Sequence, residues 1–278
     1  MKLSVSIRKF QRSLRQAATR SWLTGFMRLG YAAKGILYFF IGFLAGRAAI
    51  LPYAKAAGSD SVLRSLVDKP FGKLFLCLFA ISLLGYVLRR FLQATINLGR
   101  RQDPTKIIQR MGYAMSGCSY LGVSYSAFSV VVGIDDSDDM LEDLARQLLD
   151  RPFGNWLVGC IGLVIVGIGC SYVYGAITKS YLSDLESSEL HHQVEDWITR
   201  LGQFGVVARG AAFVLIGAFF TQAAVQYRSE VAGGLEKALQ QLAEQPYGPL
   251  WLSLVGLGLI AYGFYMVVAA WYRPSVIT

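Results

Sequence analysis

The sequence predicts an all-α polytopic membrane protein with six transmembrane helices, arranged as three tandem two-helix repeats with an approximate threefold axis. The chain is 54% hydrophobic and only 16% charged. Its apolar residues gather in six blocks of about 20 residues, the length at which an α-helix crosses a bilayer. A pair of short motifs recurs three times along the chain, and repetition at a fixed period indicates a repeat architecture.

The two motifs mark the start and the middle of each repeat. The first, Leu-Gly-Tyr-Ala-Ala-Lys-Gly at 29–35, returns at 111–117 and more loosely at 204–210. The second, Asp-Lys-Pro-Phe-Gly at 68–72, returns with substitutions at 150–154 and 244–248. The spacing between the two motifs is nearly constant, so each repeat is one structural unit of the same design.

The apolar blocks and the motifs together divide the chain into units. Residues 1–27 precede the repeats, which occupy 28–100, 101–184 and 185–278. An even number of spans in each unit makes all three enter the membrane in the same direction, so an axis along the membrane normal would relate them. The predicted spans are 29–50, 73–96, 111–133, 155–177, 204–226 and 249–272.

Four segments outside the spans are amphipathic. Residues 1–27 place apolar side chains at helical spacing opposite a basic face, which predicts a helix on an anionic membrane surface. A solvated basic tail is the alternative. Segments 60–67, 139–149 and 234–244 carry leucines on one face, which predicts a short external helix between the two spans of each unit, either flat at the interface or capping the bundle.

Charge placement predicts the orientation. The side that holds both termini carries 17 of the 27 Lys and Arg residues, and the opposite side carries 9. The positive-inside rule therefore puts both termini in the cytoplasm. The net charge of +9 suits anionic lipid headgroups as partners, and no motif indicates nucleic acid binding.

The sequence predicts no catalytic residue, no metal site and no cofactor. It contains no nucleophile elbow, no HExxH motif and no phosphate-binding loop. Cys77, Cys118, Cys160 and Cys170 all fall within spans without a CxxC pair, so they are expected to be small residues of the core. We therefore expect a protein that is not an enzyme.

Small residues at matching places in the second span of each unit predict close helix packing. Such residues let helix backbones approach one another in lipid. Counted from the proline, they occupy three positions: seven on, Cys77, Gly159 and Ser253; ten on, Ala80, Gly162 and Gly256; and fifteen on, Gly85, Gly167 and Ala261.

The chain resembles a bacterial membrane family called domain of unknown function 1206. The resemblance rests on Gly-Tyr-Ala-Ala-Lys-Gly-Ile-Leu-Tyr at 30–38, Ala-Arg-Gly-Ala-Ala-Phe at 208–213, Gly-Tyr-Val-Leu-Arg-Arg at 85–90 and the Pro-Phe-Gly sequences. It implies a triplicated two-span unit in a bacterial cytoplasmic (inner) membrane, and no assigned activity. The family pattern places a cation before the glycine of each odd span, where this chain has Ser116 in the second unit.

Lys34 and Arg209 are the leading candidate site residues. Each stands about a turn and a half inside its predicted span, where a cation is costly unless it finds a partner or extends to the interface. One interpretation is a site for an anion or a phospholipid headgroup, and the other is snorkelling beside an ordinary aromatic belt. The remaining candidates for this site are Ser116 and three aromatic residues one turn further on, Tyr38, Tyr120 and Phe213.

Two other groups of polar residues have alternative interpretations. Asp68, Asp150 and Glu244 each stand two residues before a proline, where an acid suits a helix start; a ring of acids binding a cation is the alternative. Four of the serines in the third span either line a cavity or bond between helices. They are Ser116, Ser119, Ser124 and Ser126.

The sequence favours a non-enzymatic accessory or scaffold component that binds lipid or another membrane protein, including a second copy of itself. The alternative is a carrier or channel for a small molecule or lipid along the threefold axis. The six candidate spans contain no Asp or Glu, which disfavours a proton-coupled or cation-coupled carrier.

Overall fold

A computed structural model describes residues 21–51, 56, 58–67, 69–96, 104–134, 140–178 and 192–272. These residues form helices joined by short turns, without a strand. Six helices are long and apolar enough to span a membrane, so the predicted all-α membrane architecture is confirmed. The nine α-helices are α1 (Ser21–Ile50), α2 (Ser59–Val67), α3 (Gly72–Ile96), α4 (Pro104–Val132), α5 (Met140–Leu149), α6 (Gly154–Ile177), α7 (His192–Gln226), α8 (Leu235–Ala243) and α9 (Gly248–Tyr272).

Two spans begin earlier than the hydropathy pattern predicts. The apolar part of α1 is Gly25–Ile50 rather than 29–50, and that of α7 is Trp197–Gln226 rather than 204–226. In both cases the helix starts in a more polar lead-in and continues without a break. The predicted basic helix over 1–27 lies mostly outside the described residues, which begin at Ser21.

The second motif forms the same tight turn in all three units. Its aromatic residue, Phe71, Phe153 or Tyr247, has a φ of 62°, 65° or 60°, a left-handed conformation that is unusual for residues other than glycine. The next residue must be glycine, because a Cβ there would come within 1.9, 1.7 and 2.0 Å of a carbonyl oxygen of the preceding short helix. The motif therefore encodes the bend from interfacial helix to span.

The first span of one unit packs against the second span of another. The pairs α1·α9, α6·α7 and α3·α4 make the most extensive contacts between helices. Glycines allow backbone contact in two of the pairs, at Gly35 with Gly263 and at Gly169 with Gly210. In the third pair, Ser124 instead donates a hydrogen bond of 2.9 Å to the carbonyl of Ala80.

The two spans within a unit pack together in the first and third units but not in the second. A Cβ on Gly30 would lie 2.3 Å from the backbone nitrogen of Tyr86, and one on Gly205 would lie 2.5 Å from the backbone of Tyr262. In the second unit, Gly112 and Gly167 have no neighbouring atom within 4 Å of such a Cβ. Helices α4 and α6 share at most a marginal contact in the described residues, and we call the space between them the α4–α6 gap.

Most of the small residues in the second spans lie at helix contacts, as the sequence predicts, whereas Gly167 lies at the gap. The threefold arrangement itself stays a prediction. The cysteine prediction is wrong for three of the four residues: Cys118, Cys160 and Cys170 are exposed on the outside of the bundle, and Cys77 is half-buried. In a membrane-spanning helix an apolar thiol is tolerated against lipid, so hydropathy alone does not place it inside.

The short helices α2, α5 and α8 lie within about two residues of their predicted bounds and contact one another. Glu236 of α8 accepts hydrogen bonds from the backbone of Gly58 and from the Ser61 hydroxyl. Lys237 forms an ion pair of 2.7 Å with Glu142 of α5. These contacts join the three units at the end of the bundle away from the termini.

The motif acids do not sit at the starts of the spans. Asp150 and Glu244 are exposed in the turns that end α5 and α8, and the first turns of α6 and α9 contain no acid. The helix-start interpretation is therefore wrong for these two residues, because the left-handed turn separates them from the next helix. Asp68 lies outside the described residues.

Candidate functional site

Lys34 is fully buried at the centre of the bundle, with 0% of its surface exposed. Its ammonium group lies over three tyrosine rings, 4.4 Å from the centroid of Tyr86, 4.7 Å from Tyr120 and 5.5 Å from Tyr262. These rings come from α3, α4 and α9. The faces of aromatic rings attract a cation, so three helices converge on one ammonium group.

The hydroxyl of Tyr86 joins two cations. It accepts a hydrogen bond of 3.0 Å from Lys34 Nζ and one of 2.7 Å from Arg90 Nε. Its oxygen also lies 3.0 Å from Ser116 Oγ. Because the hydroxyl already accepts from two charged donors, its own proton is best placed to go to Ser116.

Arg209 is the second buried cation, with 3% of its surface exposed. Its guanidinium lies 4.7 Å from the ring centroid of Tyr172, 5.0 Å from Tyr262, and 5.4 Å from both Tyr38 and Phe213. One terminal nitrogen donates to the hydroxyl of Tyr262. The Nε atom is buried without a hydrogen-bond partner.

The two buried cations share one polar cluster. Both lie over the ring of Tyr262, whose centroid is 4.9 Å from that of Tyr38. The hydroxyl of Tyr120 donates a hydrogen bond of 3.0 Å to that of Tyr38. We call these residues the cation cluster; its members are Lys34, Arg90, Arg209, Tyr38, Tyr86, Tyr120, Tyr262 and Ser116.

The cation cluster contains more hydrogen-bond donors than acceptors. Lysine and arginine side chains only donate. The hydroxyls of Tyr38 and Tyr262 accept hydrogen bonds, but their own protons have no acceptor among the described residues. Neither Arg90 nor Arg209 forms an ion pair with a carboxylate in the described part of the chain. A group that brings negative charge and acceptor atoms would complete this arrangement.

The buried cations also lie near the middle of their long apolar helices. Lys34 lies three to four residues from the middle of its span, and Arg209 two to three residues from the middle of its own. At 1.5 Å per residue these offsets are about 5 Å and 4 Å. Counted from the predicted span starts at 29 and 204, both cations stand near an end, whereas the apolar parts of α1 and α7 begin at Gly25 and Trp197 and place them closer to the middle of each helix. Snorkelling does not apply to side chains that the bundle encloses.

The structure divides the predicted aromatic partners between the two cations. Phe213 lies over Arg209 one turn away on the same helix, as the spacing predicts. Tyr120 instead lies over Lys34 of the first unit, and Tyr38 lies against Arg209 of the third. Each cation is thus held by rings from other units as well as its own.

The serines of the third span fulfil different roles. Ser116 and Ser124 bond between helices. Ser119 is exposed and bonds to the carbonyl of Met115 in its own helix. Ser126 is half-buried and makes no polar contact within the described part of the chain.

Sequence reasoning missed three of the eight residues of the cation cluster, Arg90, Tyr86 and Tyr262. From the sequence, Arg89 and Arg90 belong to the charges on the side of the termini, yet both lie within α3. Arg89 is 4% exposed and lies over the ring of Tyr31. The guanidinium of Arg90 stacks between the rings of Tyr86 and Tyr113. Without Arg89, Arg90 and Arg209, the excess of cations on the side of the termini becomes smaller but keeps its sign. Tyr86 and Tyr262 were missed although both stand sixteen residues after the motif proline, where the second unit has Ile168.

Comparison with known proteins agrees with the repeat structure. The family model described as Domain of Unknown Function (DUF1206) matches residues 29–97, 111–179 and 204–273. An uncharacterized protein of Bacillus subtilis (strain 168), YxxB, is 29% identical over 256 residues, which cover 92% of this chain and 93% of the relative. No solved structure matches the chain.

Proposed function

The chain belongs to the family of Domain of Unknown Function (DUF1206), and from its geometry we propose a non-enzymatic membrane protein that binds an anionic group at the cation cluster. The group is a phosphate or carboxylate, free or carried by a lipid headgroup. With such a group bound, the protein acts as an accessory component of the membrane. The donor excess around two buried cations, in spans that contain no Asp or Glu, is the observation that carries the proposal.

An unsatisfied donor, rather than the energy of burying the charges, supports an external anion. A cation at the centre of a bilayer costs about 3 kcal/mol on insertion scales. A desolvated cation–π contact returns about 2 kcal/mol, so rings offset most of the cost of each cation. They do not neutralise the charge, and they leave the Nε of Arg209 without an acceptor. An anion would supply both the neutralising charge and an acceptor for the Nε of Arg209.

Thermal unfolding in the presence of anions tests the proposal. A ligand that binds only the folded state raises stability with its concentration. We expect inorganic phosphate to raise the unfolding temperature of the purified protein in detergent, and we expect this increase to vanish in Lys34→Met and Arg209→Met variants. Arg47→Met is the matched control, because Arg47 is an exposed cation on the same helix as Lys34.

The control separates site binding from general salt effects. An equal rise in all four proteins would assign the effect to nonspecific salt and would overturn the site. The absence of any rise in the wild-type protein, at phosphate concentrations up to the millimolar range, would also overturn it.

A carrier is the second candidate function, and the depth of the cations favours it. Lys34 and Arg209 lie within about 5 Å of the middle of their spans, where solute carriers hold their substrates. Flux of radiolabelled phosphate into proteoliposomes distinguishes the two functions. Transport that Arg209→Met abolishes would establish a carrier, whereas binding without flux would leave the accessory role.

A further inference from the structure

We propose that the ligand of the cation cluster is an anionic phospholipid, which enters sideways from the bilayer through the α4–α6 gap. This inference rests on the proposed function and names the source of the anion. It begins from the missing contact within the second unit. Gly112 and Gly167 face open space, whereas the equivalent glycines Gly30 and Gly85 touch the backbone of the neighbouring span.

The gap leads directly to the cation cluster. On the α4 side, Tyr113 lies 5.0 Å from the guanidinium of Arg90, and Ser116 bonds to Tyr86. On the α6 side, the ring of Tyr172 lies 4.7 Å from the guanidinium of Arg209. Both walls of the gap therefore touch a cation of the cluster.

The residues at the gap are less buried than the cations behind them. Arg90, Tyr113, Ser116 and Tyr172 are all half-buried, while Lys34 and Arg209 are fully enclosed. Arg90 is thus the partly accessible cation of the cluster. Its guanidinium bonds to Tyr86 and Gln93, neither of which brings a negative charge.

Depth favours a headgroup at Arg90. Arg90 lies six to seven residues from the middle of its span, or about 10 Å along the axis toward the side of the termini. The hydrocarbon core extends about 15 Å from its centre. A phosphodiester that sinks a few ångströms below the interface would reach this guanidinium first, and Lys34 lies deeper.

The gap also suits acyl chains. It opens between two helices whose outer faces carry exposed apolar side chains, such as Leu121 on α4 and Leu163 on α6. A lipid whose phosphate occupies the cluster can leave its chains among these side chains in the bilayer. A free anion has no comparable reason to use a lateral opening.

Native mass spectrometry of the full chain with defined lipids tests the inference. The probes are phosphatidylglycerol and phosphatidylcholine with identical acyl chains, at equal concentration. We expect retention of phosphatidylglycerol on the wild-type protein and a loss of at least tenfold in Arg90→Gln. Arg200→Gln, which removes an exposed cation on the same side of the membrane, should retain the lipid.

A second pair of variants tests the route. Gly112→Trp fills the gap and should also reduce phosphatidylglycerol binding at least tenfold. Gly46→Trp is its control, because Gly46 likewise has open space around it but lies on α1, away from the gap. If Gly112→Trp lowers the unfolding temperature, Gly167→Trp is a second way to fill the gap, from the α6 side.

Phosphate-induced thermal stabilisation of the same variants separates the two proposals. Stabilisation that persists in Gly112→Trp, together with loss of the lipid, supports lateral entry of a phospholipid. Equal binding of the two lipids, or phosphatidylglycerol binding that neither Arg90→Gln nor Gly112→Trp changes, would overturn the lipid inference while phosphate stabilisation keeps the anion site. The absence of both lipid binding and phosphate stabilisation would overturn both proposals.

Discussion

The second repeat unit and its two neighbours fold by the same rules but contribute different chemistry. All three units make the same left-handed turn before their second span. The first and third units also pack their two spans together and supply the buried cations Lys34 and Arg209. The second unit has Ser116 at the cation position, Ile168 at the tyrosine position and a gap between its spans.

The two replacements in the second unit, Ser116 at the cation position and Ile168 at the tyrosine position, occur together at one place in the bundle. The residues that the second unit lacks, a cation and a tyrosine, are those that fill the space between two spans in the other units. Their absence coincides with the α4–α6 gap. The second unit is also the most peripheral, with 28% and 17% of its span windows buried, against 56% and 44% in the first unit. The pattern of cation and tyrosine that the first and third units share is thus broken in the unit whose spans are most exposed.

The largest expected effect comes from adding one methyl group at equivalent glycines. A Cβ on Gly85 would lie 2.2 Å from the carbonyl oxygen of Phe26, whereas one on Gly167 meets nothing within 4 Å. We expect Gly85→Ala to destabilise the protein by about 3 kcal/mol, the upper range for overpacking, and Gly167→Ala to cost nothing. Thermal unfolding in detergent measures both, and equal losses would refute the gap.

The next effect concerns the two tyrosines that the second unit lacks. Tyr86 accepts hydrogen bonds from two cations and Tyr262 from one. Hydrogen bonds to charged groups contribute about 1.5–3 kcal/mol each, so Tyr86→Phe should destabilise the fold more than Tyr262→Phe. Their unfolding free energies, compared with that of the exposed control Tyr125→Phe, check the order; a reversed order would show that Tyr86 is not the shared acceptor.

A cation at position 116 of the second unit, where the first and third units have Lys34 and Arg209, should lower the stability of the fold when no anion is bound. Ser116→Lys places a third positive charge near Lys34 and removes the acceptor for the Tyr86 proton. We expect a loss of about 3 kcal/mol, the insertion cost of an uncompensated buried charge, which added phosphate partly reverses. Ser116→Ala, measured under the same conditions, should lose only about 1 kcal/mol for the hydrogen bond. A Ser116→Lys variant that is as stable as the wild-type protein, and whose stability phosphate does not change, would contradict the charge argument.

The smallest expected effect concerns the left-handed turn that all three units share. Phe71, Phe153 and Tyr247 each occupy a left-handed conformation, which costs an L-residue about 1 kcal/mol. Glycine at each position should therefore raise stability by up to about 1 kcal/mol, and by the same amount in all three units. A chemical denaturation series measures this, and a different sign in the second unit would show that its turn is not equivalent.

The sequence predicts the six spans, the short helices and the repeated turn because each depends on local signals: hydropathy, a 3.6-residue period and a Pro-aromatic-Gly motif. It also identifies Lys34 and Arg209 as unusual. It does not reveal Tyr86 as their partner, since 52 residues separate Lys34 from Tyr86 and hydropathy does not fix the rotation of a helix about its axis. It places both cations nearer to a helix end than the structure does, because helices α1 and α7 extend into polar residues that a hydropathy window excludes.

The most direct test is the position of a heavy anion in a crystal of the full chain. Selenate resembles phosphate in shape and charge, and its selenium scatters anomalously. We predict an anomalous peak within hydrogen-bonding reach of the Arg209 guanidinium and the hydroxyls of Tyr38 and Tyr262, and no such peak in the Arg209→Met variant. An empty cluster in selenate-soaked crystals, with Arg209 still buried against its four rings, would contradict an anion site at the centre of this bundle.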